Sequence, residues 1–110
     1  MPPQLKVIET RNSSGVTVGQ VFDLVKDRIV FGRSSENDIS FAFDRVREHG
    51  LLLKVGDDYY IEDISDKRRN PLLVNNAPIL GQKLLKDGDV VSVFGVRFEY
   101  RKEKGRNMEA

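Results

Sequence analysis

The chain of 110 residues contains no cysteine, which excludes disulfides, thiol catalysis and thiolate metal sites. A small domain without disulfides fits a reducing compartment, so we expect a cytoplasmic protein. The sequence has no apolar run long enough to span a membrane and no secretory signal pattern, so we expect no membrane partner. Its single histidine, without cysteine partners, is a poor basis for a structural zinc site. We therefore expect neither a metal nor a cofactor.

The chain also lacks an excess of charge of either sign. Lysine and arginine number 18 and aspartate and glutamate number 17, which gives a net charge of +1. This balance provides no bulk attraction for nucleic acid, and it argues against nucleic-acid binding as the main role. Any phosphate binding therefore has to depend on local clusters of basic residues. The length supports one domain with a modest core.

Alanine is scarce, with three residues against thirteen valines and six isoleucines, which favours strands over helices. Short apolar runs are interrupted by Gly, Asn, Asp and Pro, as in many-stranded sandwiches and barrels. Alternation places Val96, Phe98 and Tyr100 inward, and an alternating pattern also groups Leu51, Leu53 and Val55 on one strand face. These patterns predict an all-β sandwich of two antiparallel sheets.

Turn residues divide the predicted strands. Asn75-Asn76 tolerates the positive φ of a tight two-residue hairpin turn, and a further turn is predicted at Asp87 to Asp89. We expect residues 1–4 to be disordered, residues 5–101 to form the domain and residues 102–110 to be a flexible tail.

Arginines gather in predicted loops. Gly32-Arg33 follows an apolar strand, and Arg45 and Arg47 lie shortly before His49. A phosphate reader needs permanently charged donor forks, which arginine supplies better than lysine, on loops held by rigid strands. Arg33 meets both requirements.

The order of these motifs resembles that of the forkhead-associated (FHA) domain family. The resemblance covers about residues 5 to 101, and the family is among the arginine-cluster readers of phosphorylated motifs. It implies an FHA-like two-sheet β-sandwich whose loops at one end bind phosphothreonine peptides of a kinase substrate in signalling. The matching residues are Gly32-Arg33, Ser35 to Ile39, Arg47 with His49, Asp63-Ile64, Asn70, Val74-Asn75 and Gly88 to Val90.

The resemblance also implies roles for individual residues. Arg33 would grip the phosphate, Asn70 would orient the peptide backbone, and His49 would buttress the binding loops. Gly32 and Asn75 would support loops in the same way. The residues predicted to bind phosphopeptide are Arg33, Ser34, Val46, Arg47, Arg68, Arg69 and Asn70.

Two stretches depart from the family pattern. Val46 stands where the family has a serine that donates to phosphate, and Arg68 replaces a second serine. Pro71-Leu72 replaces a Gly-Thr pair, and the loop before His49 looks slightly shorter than usual. Either the arginines replace the lost hydroxyl donors, or the phosphate site has decayed and the arginines form a solvated loop surface.

We expect a phosphothreonine-recognition module with no catalytic residues, either alone or attached to a larger protein. One alternative is a phosphorylation-independent scaffold or self-association domain of the same fold. Another is a small nucleic-acid-binding β domain. An enzyme with Ser34, Ser35 or Ser40 as nucleophile and His49 as base has no support in the spacing.

Overall fold

In a computed structural model of the chain, residues 2–11, 14–65 and 71–102 are described. Within these ranges the chain forms eleven β-strands and contains no helix able to cross a membrane. The strands are β1 (Gln4–Glu9), β2 (Val21–Asp23), β3 (Arg28–Gly32), β4 (Ile39–Ser40), β5 (Gly50–Val55), β6 (Asp58–Asp63), β7 (Leu73–Val74), β8 (Ala77–Pro78), β9 (Gln82–Leu84), β10 (Val90–Val93) and β11 (Val96–Arg101).

The strands form two sheets. The six-stranded sheet has the order β2-β1-β11-β10-β7-β8, and the five-stranded sheet has the order β4-β3-β5-β6-β9. The pair β3–β4 is parallel, and the other registered pairs in the described ranges are antiparallel. The predicted all-β fold of two mostly antiparallel sheets is confirmed.

The core lies between the two sheets. Val96, Phe98 and Tyr100 are at most 1% exposed, as their alternation predicts. Phe41 links the sheets, because its ring lies 5.0 Å from that of Phe98 and 5.8 Å from that of Phe31. Burying each such side chain contributes about 1.5–3 kcal/mol, so this aromatic contact holds the sheets together near one end.

The strand β5 differs from its predicted pattern. Leu52 is fully buried, whereas Val55 is 59% exposed, so Leu51, Leu53 and Val55 face away from the core. Three consecutive leucines make both faces of the strand apolar, and alternation alone cannot choose between them. The choice is made by register, since Leu52 pairs with the core residue Ile61 on β6.

The predicted turns are present. Asn75 and Asn76 have φ of 53° and 69°, which is the left-handed conformation of a two-residue hairpin turn between β7 and β8. Gly88 has φ of 93° in the turn before β10, where the Asp89 carboxylate accepts a hydrogen bond from the Lys86 N–H at 2.8 Å.

Loops 33–38 and 41–49 meet at one end of the sandwich, together with residues 64–65 and 71–72, and we call this end the loop end. The ring of His49, just before β5, lies 5.6 Å from the ring of Phe94, in the turn between β10 and β11. This contact joins the two sheets at the loop end. The opposite end carries the first residues of β1 and the last residues of β11, because Gln4 pairs with Arg101.

Two buried tyrosines predict how the fold responds to alkali. Burial raises the pKa of Tyr100 to about 12 and also raises the pKa of Tyr59. A raised folded-state pKa contributes stability that is complete below pH 10 and is lost as the pH rises towards 12. We expect the unfolding free energy to fall over this range and Tyr100→Phe to reduce the fall by up to about 2 kcal/mol. Urea titrations at a series of alkaline pH values measure this.

The matched control is Tyr60→Phe. It removes the hydroxyl of a half-buried tyrosine that follows Tyr59 on β6. An equal alkaline loss in wild type and Tyr100→Phe would contradict the assignment to Tyr100.

Candidate functional site

Gly32, the last residue of β3, brings two loops into backbone contact. A Cβ at this position would lie 2.4 Å from the Arg47 carbonyl oxygen and 2.8 Å from that of Val46. Both are backbone atoms, so a side chain at position 32 would push loop 41–49 away. The contact is completed by hydrogen bonds from the Arg33 N–H to the Val46 carbonyl at 2.9 Å and from the Ser34 N–H to the Arg47 carbonyl at 3.2 Å.

Loop 33–38 has its own internal hydrogen bonds. The Ser34 hydroxyl accepts a hydrogen bond from the Glu36 N–H at 3.2 Å, and the Ser34 carbonyl accepts one from the Asn37 N–H at 3.1 Å. The Asn37 side chain donates to the Arg47 carbonyl, and the Ser40 hydroxyl donates to the Arg33 carbonyl at 3.2 Å. The backbone that carries Arg33 is therefore fixed on both sides.

A buried pair of side chains supports loop 41–49 from below. Asp44 and His49 are each 1% exposed, and the His49 Nδ1 lies 3.0 Å from both carboxylate oxygens of Asp44. The same carboxylate accepts a hydrogen bond from the Val46 N–H at 2.9 Å. The His49 backbone joins both neighbouring strands, since its N–H donates to the Phe31 carbonyl at 2.8 Å and its carbonyl accepts from the Ile64 N–H at 3.0 Å.

Asp44 was not among the residues expected from the sequence. The available signal was an aspartate five residues before the only histidine of the chain. That spacing is too short for two strands and too long for a single turn, so it suggested no pairing. The pairing arises because loop 41–49 folds back on itself over the end of β3.

A second buried aspartate binds residues on both sides of segment 66–70. Asp63 is 3% exposed, and its carboxylate accepts hydrogen bonds from the Ser65 N–H at 2.9 Å and the Leu72 N–H at 2.8 Å. These bonds hold residues 65 and 72 near one carboxylate. The predicted ligands Arg68, Arg69 and Asn70 fall in residues 66–70, outside the described residues.

The arginines of the joined loops are exposed to solvent. Arg33, Arg45 and Arg47 all present exposed side chains, and Val46 between the last two is half-buried and outside the core. Within the described ranges, no carboxylate forms an ion pair with any of these three arginines. Glu36 and Glu48 lie in the same loops without pairing to them. The structure therefore brings Arg33, Ser34, Val46 and Arg47 together.

The aspartates near these arginines form hydrogen bonds with other groups. The pKa of Asp38 is lowered by hydrogen bonds from the Lys26 side chain and the Val30 N–H. Asp44 and Asp63 accept hydrogen bonds from within the loops, so neither carboxylate is directed at the guanidinium groups. Across the described part of the chain, no group of three His, Asp or Glu side chains has the arrangement to hold a metal ion.

Asn75 lies away from this assembly. Its side-chain oxygen accepts a hydrogen bond from the Val90 N–H at 2.9 Å, and its Nδ2 donates to Asp89 at 3.0 Å. Val90 is the first residue of β10, whereas the loop end lies beyond the last residue, Val93. Asn75 therefore links two turns at the opposite end of β10.

The family model described as FHA domain matches residues 29–94, which is more than half of the chain. The chain belongs to the FHA domain family. No match is found among curated protein sequences.

Solved structures share the same fold. Mycobacterium tuberculosis EmbR, in complex with a low affinity phosphopeptide, aligns with a TM-score of 0.76 at 23% identity over 96% of this chain and 26% of that chain. The FHA domain of the CT664 protein from Chlamydia trachomatis aligns with a TM-score of 0.75 at 22% identity over 93% and 98% of the two chains. An FHA domain studied for phosphothreonine-dependent interactions aligns with a TM-score of 0.72 at 19% identity over 94% and 98%.

The buried pair predicts a clear difference between two substitutions of Asp44. Asp44→Ala removes the carboxylate that binds the His49 Nδ1 and the Val46 N–H, and we expect a loss of about 2–4 kcal/mol of unfolding free energy. Asp44→Asn keeps an acceptor oxygen and should cost about half as much. Urea unfolding at neutral pH measures both.

Asp57→Ala provides the control, because Asp57 is an exposed residue of the turn between β5 and β6. If Asp44→Ala were as stable as this control variant, Asp44 would not hold loop 41–49.

Proposed function

We propose that this domain is a protein-interaction module that recognises phosphothreonine-containing peptides through its loop end. The observation that carries the proposal is the pair of exposed arginines, Arg33 and Arg47, on two loops joined by backbone hydrogen bonds. A phosphothreonine carries almost two negative charges and three acceptor oxygens at neutral pH. Guanidinium groups bind such a group through paired, charge-assisted hydrogen bonds.

The rigidity of the loops supports this proposal. The Arg33 N–H and carbonyl are both hydrogen-bonded, and the absence of a side chain at Gly32 lets the two loops pack in close backbone contact. A site whose backbone is already ordered loses less conformational entropy when a peptide binds. The phosphopeptide bound to EmbR and the phosphothreonine-dependent interactions of the other FHA domain are consistent with the same use of this fold.

The pair Pro71-Leu72 has a smaller effect on the site than its sequence suggests. Leu72 is fully buried in the core, and its N–H donates to Asp63. Only Pro71 is exposed, so it is the one residue of the pair whose side chain is accessible to a peptide. We infer that the change at this position weakens discrimination between phosphothreonine and phosphoserine, since one methyl group contributes about 1 kcal/mol at most.

Base stacking finds little support. Phe41, Phe43 and Phe98 are buried, and the ring of Phe41 stacks on the other two with centroid distances of 5.1 and 5.0 Å. Single-stranded nucleic acid is bound largely through exposed aromatic platforms, which these three rings do not provide. The binding module for phosphorylated protein is therefore the stronger proposal.

Replacement of Arg33 tests the proposal directly. We expect Arg33→Ala to weaken binding of a phosphothreonine peptide, selected from a degenerate library, by roughly thirtyfold or more, because a charge-assisted contact contributes about 2 kcal/mol or more. Isothermal titration calorimetry with the phosphorylated and unphosphorylated forms of one peptide measures this.

Arg101→Ala is the matched control, since Arg101 is an exposed arginine at the opposite end of the sandwich. Equal binding of both peptide forms by the wild type would favour the phosphorylation-independent scaffold. Unchanged phosphopeptide binding by Arg33→Ala would place the phosphate site elsewhere.

Val46 offers a gain-of-function test. Its side chain is half-buried outside the core, between the two arginines, and has no hydrogen-bond donor. We expect Val46→Ser to add one hydrogen bond to phosphate, worth roughly 1.5–3 kcal/mol or on the order of tenfold to a hundredfold in affinity, with little change in melting temperature. Calorimetric titration and thermal unfolding of this one variant provide both values. A lowered melting temperature with unchanged affinity would show that the side chain points into the protein.

A further inference from the structure

The five-stranded sheet turns a second set of side chains away from the core. Residues paired across neighbouring strands point to the same side of a sheet, so the register defines this outer face as two rows. One row is Val30, Leu51, Glu62 and Gln82, and the other is Arg28, Leu53, Tyr60 and Leu84.

The outer face is largely apolar. Five of its eight residues are aliphatic or aromatic, and none of the five belongs to the core cluster between the sheets. Leu51 is buried, with 9% of its surface exposed, and the other four apolar residues are half-buried. Val55, which continues the face along β5, is 59% exposed. An antiparallel sheet with one face on the core usually presents polar residues on the other, and a contiguous apolar patch on a surface marks an interaction site.

Two opposite charges lie on either side of the centre of this face. Arg28 lies on β3 in one row and Glu62 lies on β6 in the other, so the midpoint between them falls on β5 between Leu51 and Leu53. Arg28 is exposed, and its neighbour Asp38 is bound to Lys26. Glu62 has only a long hydrogen bond of 3.4 Å from Gln82 among the described residues.

We propose that the outer face binds a second copy of this chain, face to face about a two-fold axis. The axis would cross β5 between Leu51 and Leu53, at right angles to the line from Arg28 to Glu62. An isologous contact of this kind brings Arg28 against Glu62 of the partner subunit twice over. On the spacing of strands and residues in a sheet, the same axis brings Leu84 against Val55 of the partner subunit.

The charge arrangement is what selects a second copy over an unrelated partner. Arg28 and Glu62 have opposite charges and lie at the two positions that a two-fold axis would bring together. The apolar residues between them would contact apolar residues of the other copy. The face offers about ten residues from each copy, fewer than the 20–30 of a standard interface, so the dimer should be weak and reversible. The face lies on the side of the sandwich, so association leaves the loop end open.

Sedimentation velocity over about 10 to 500 µM protein, without any peptide, tests for the dimer. We expect concentration-dependent dimerisation that Leu53→Glu weakens at least about tenfold, since it places charge at the centre of an apolar contact. Leu80→Glu is the matched control, because Leu80 is 90% exposed and precedes β9, outside the paired rows. A monomer at every concentration, or a dimer that Leu53→Glu leaves intact, would overturn the proposal.

A charge exchange tests the two-fold arrangement itself. Arg28→Glu and Glu62→Arg should each weaken dimerisation by roughly threefold to tenfold, because each variant opposes like charges, and the double variant should restore it. Thermal unfolding confirms that each variant is folded. Failure of the double variant to recover the dimer would overturn the proposed pairing, whatever the effect of Leu53→Glu.

Discussion

The backbone contact between Gly32 and the carbonyls of Val46 and Arg47 determines how the loop end is built. Two loops that are separated by a strand in sequence share hydrogen bonds there, and the residue that permits them has no side chain. The Asp44–His49 pair beneath them has the same effect from the core side, because it fixes the Val46 N–H and thereby the direction in which the loop leaves β4. The positions of the arginines follow from these contacts.

The electrostatics of the loop end also depend on internal hydrogen bonds. A net charge of +1 predicts nothing about local potential, and the loops contain aspartates as well as arginines. The buried carboxylates of Asp44 and Asp63 are bound to an imidazole and to backbone N–H groups, whereas Arg33 and Arg47 remain in solvent. These two aspartates therefore lie inside the protein, while Arg33 and Arg47 are exposed in the same loops as the exposed Glu36 and Glu48.

The sequence was sufficient where the pattern is local. Alternation from Val96 to Tyr100 and the Asn75-Asn76 turn depend only on neighbouring residues, and both predictions are confirmed. It was insufficient at Leu51 to Leu53, where only the register against β6 chooses the buried leucine.

The remaining differences at the site also arise from contacts between distant elements. Asp44 binds the Val46 N–H because of the path of loop 41–49. Leu72 lies in the core, where its N–H donates to Asp63. Asn75 was predicted to support the binding loops, but it lies at the other end of the sandwich because of the register in which β7 pairs with β10. No local pattern contains this information, because each contact joins residues that only the folded sheets bring together.

The antiparallel pairing of β1 with β11 determines the end of the sandwich at which another polypeptide can be attached to this domain. Gln4 and Arg101 are paired at the end of the sandwich remote from the arginine-bearing loops. Paired strands are about 5 Å apart, so a sequence joined before the first strand and one joined after the last would leave side by side. A linker, a tag or a host protein attached at either point would therefore be joined to the end of the sandwich opposite the loop end. The domain could be inserted into a loop of another protein with its arginines still directed outward.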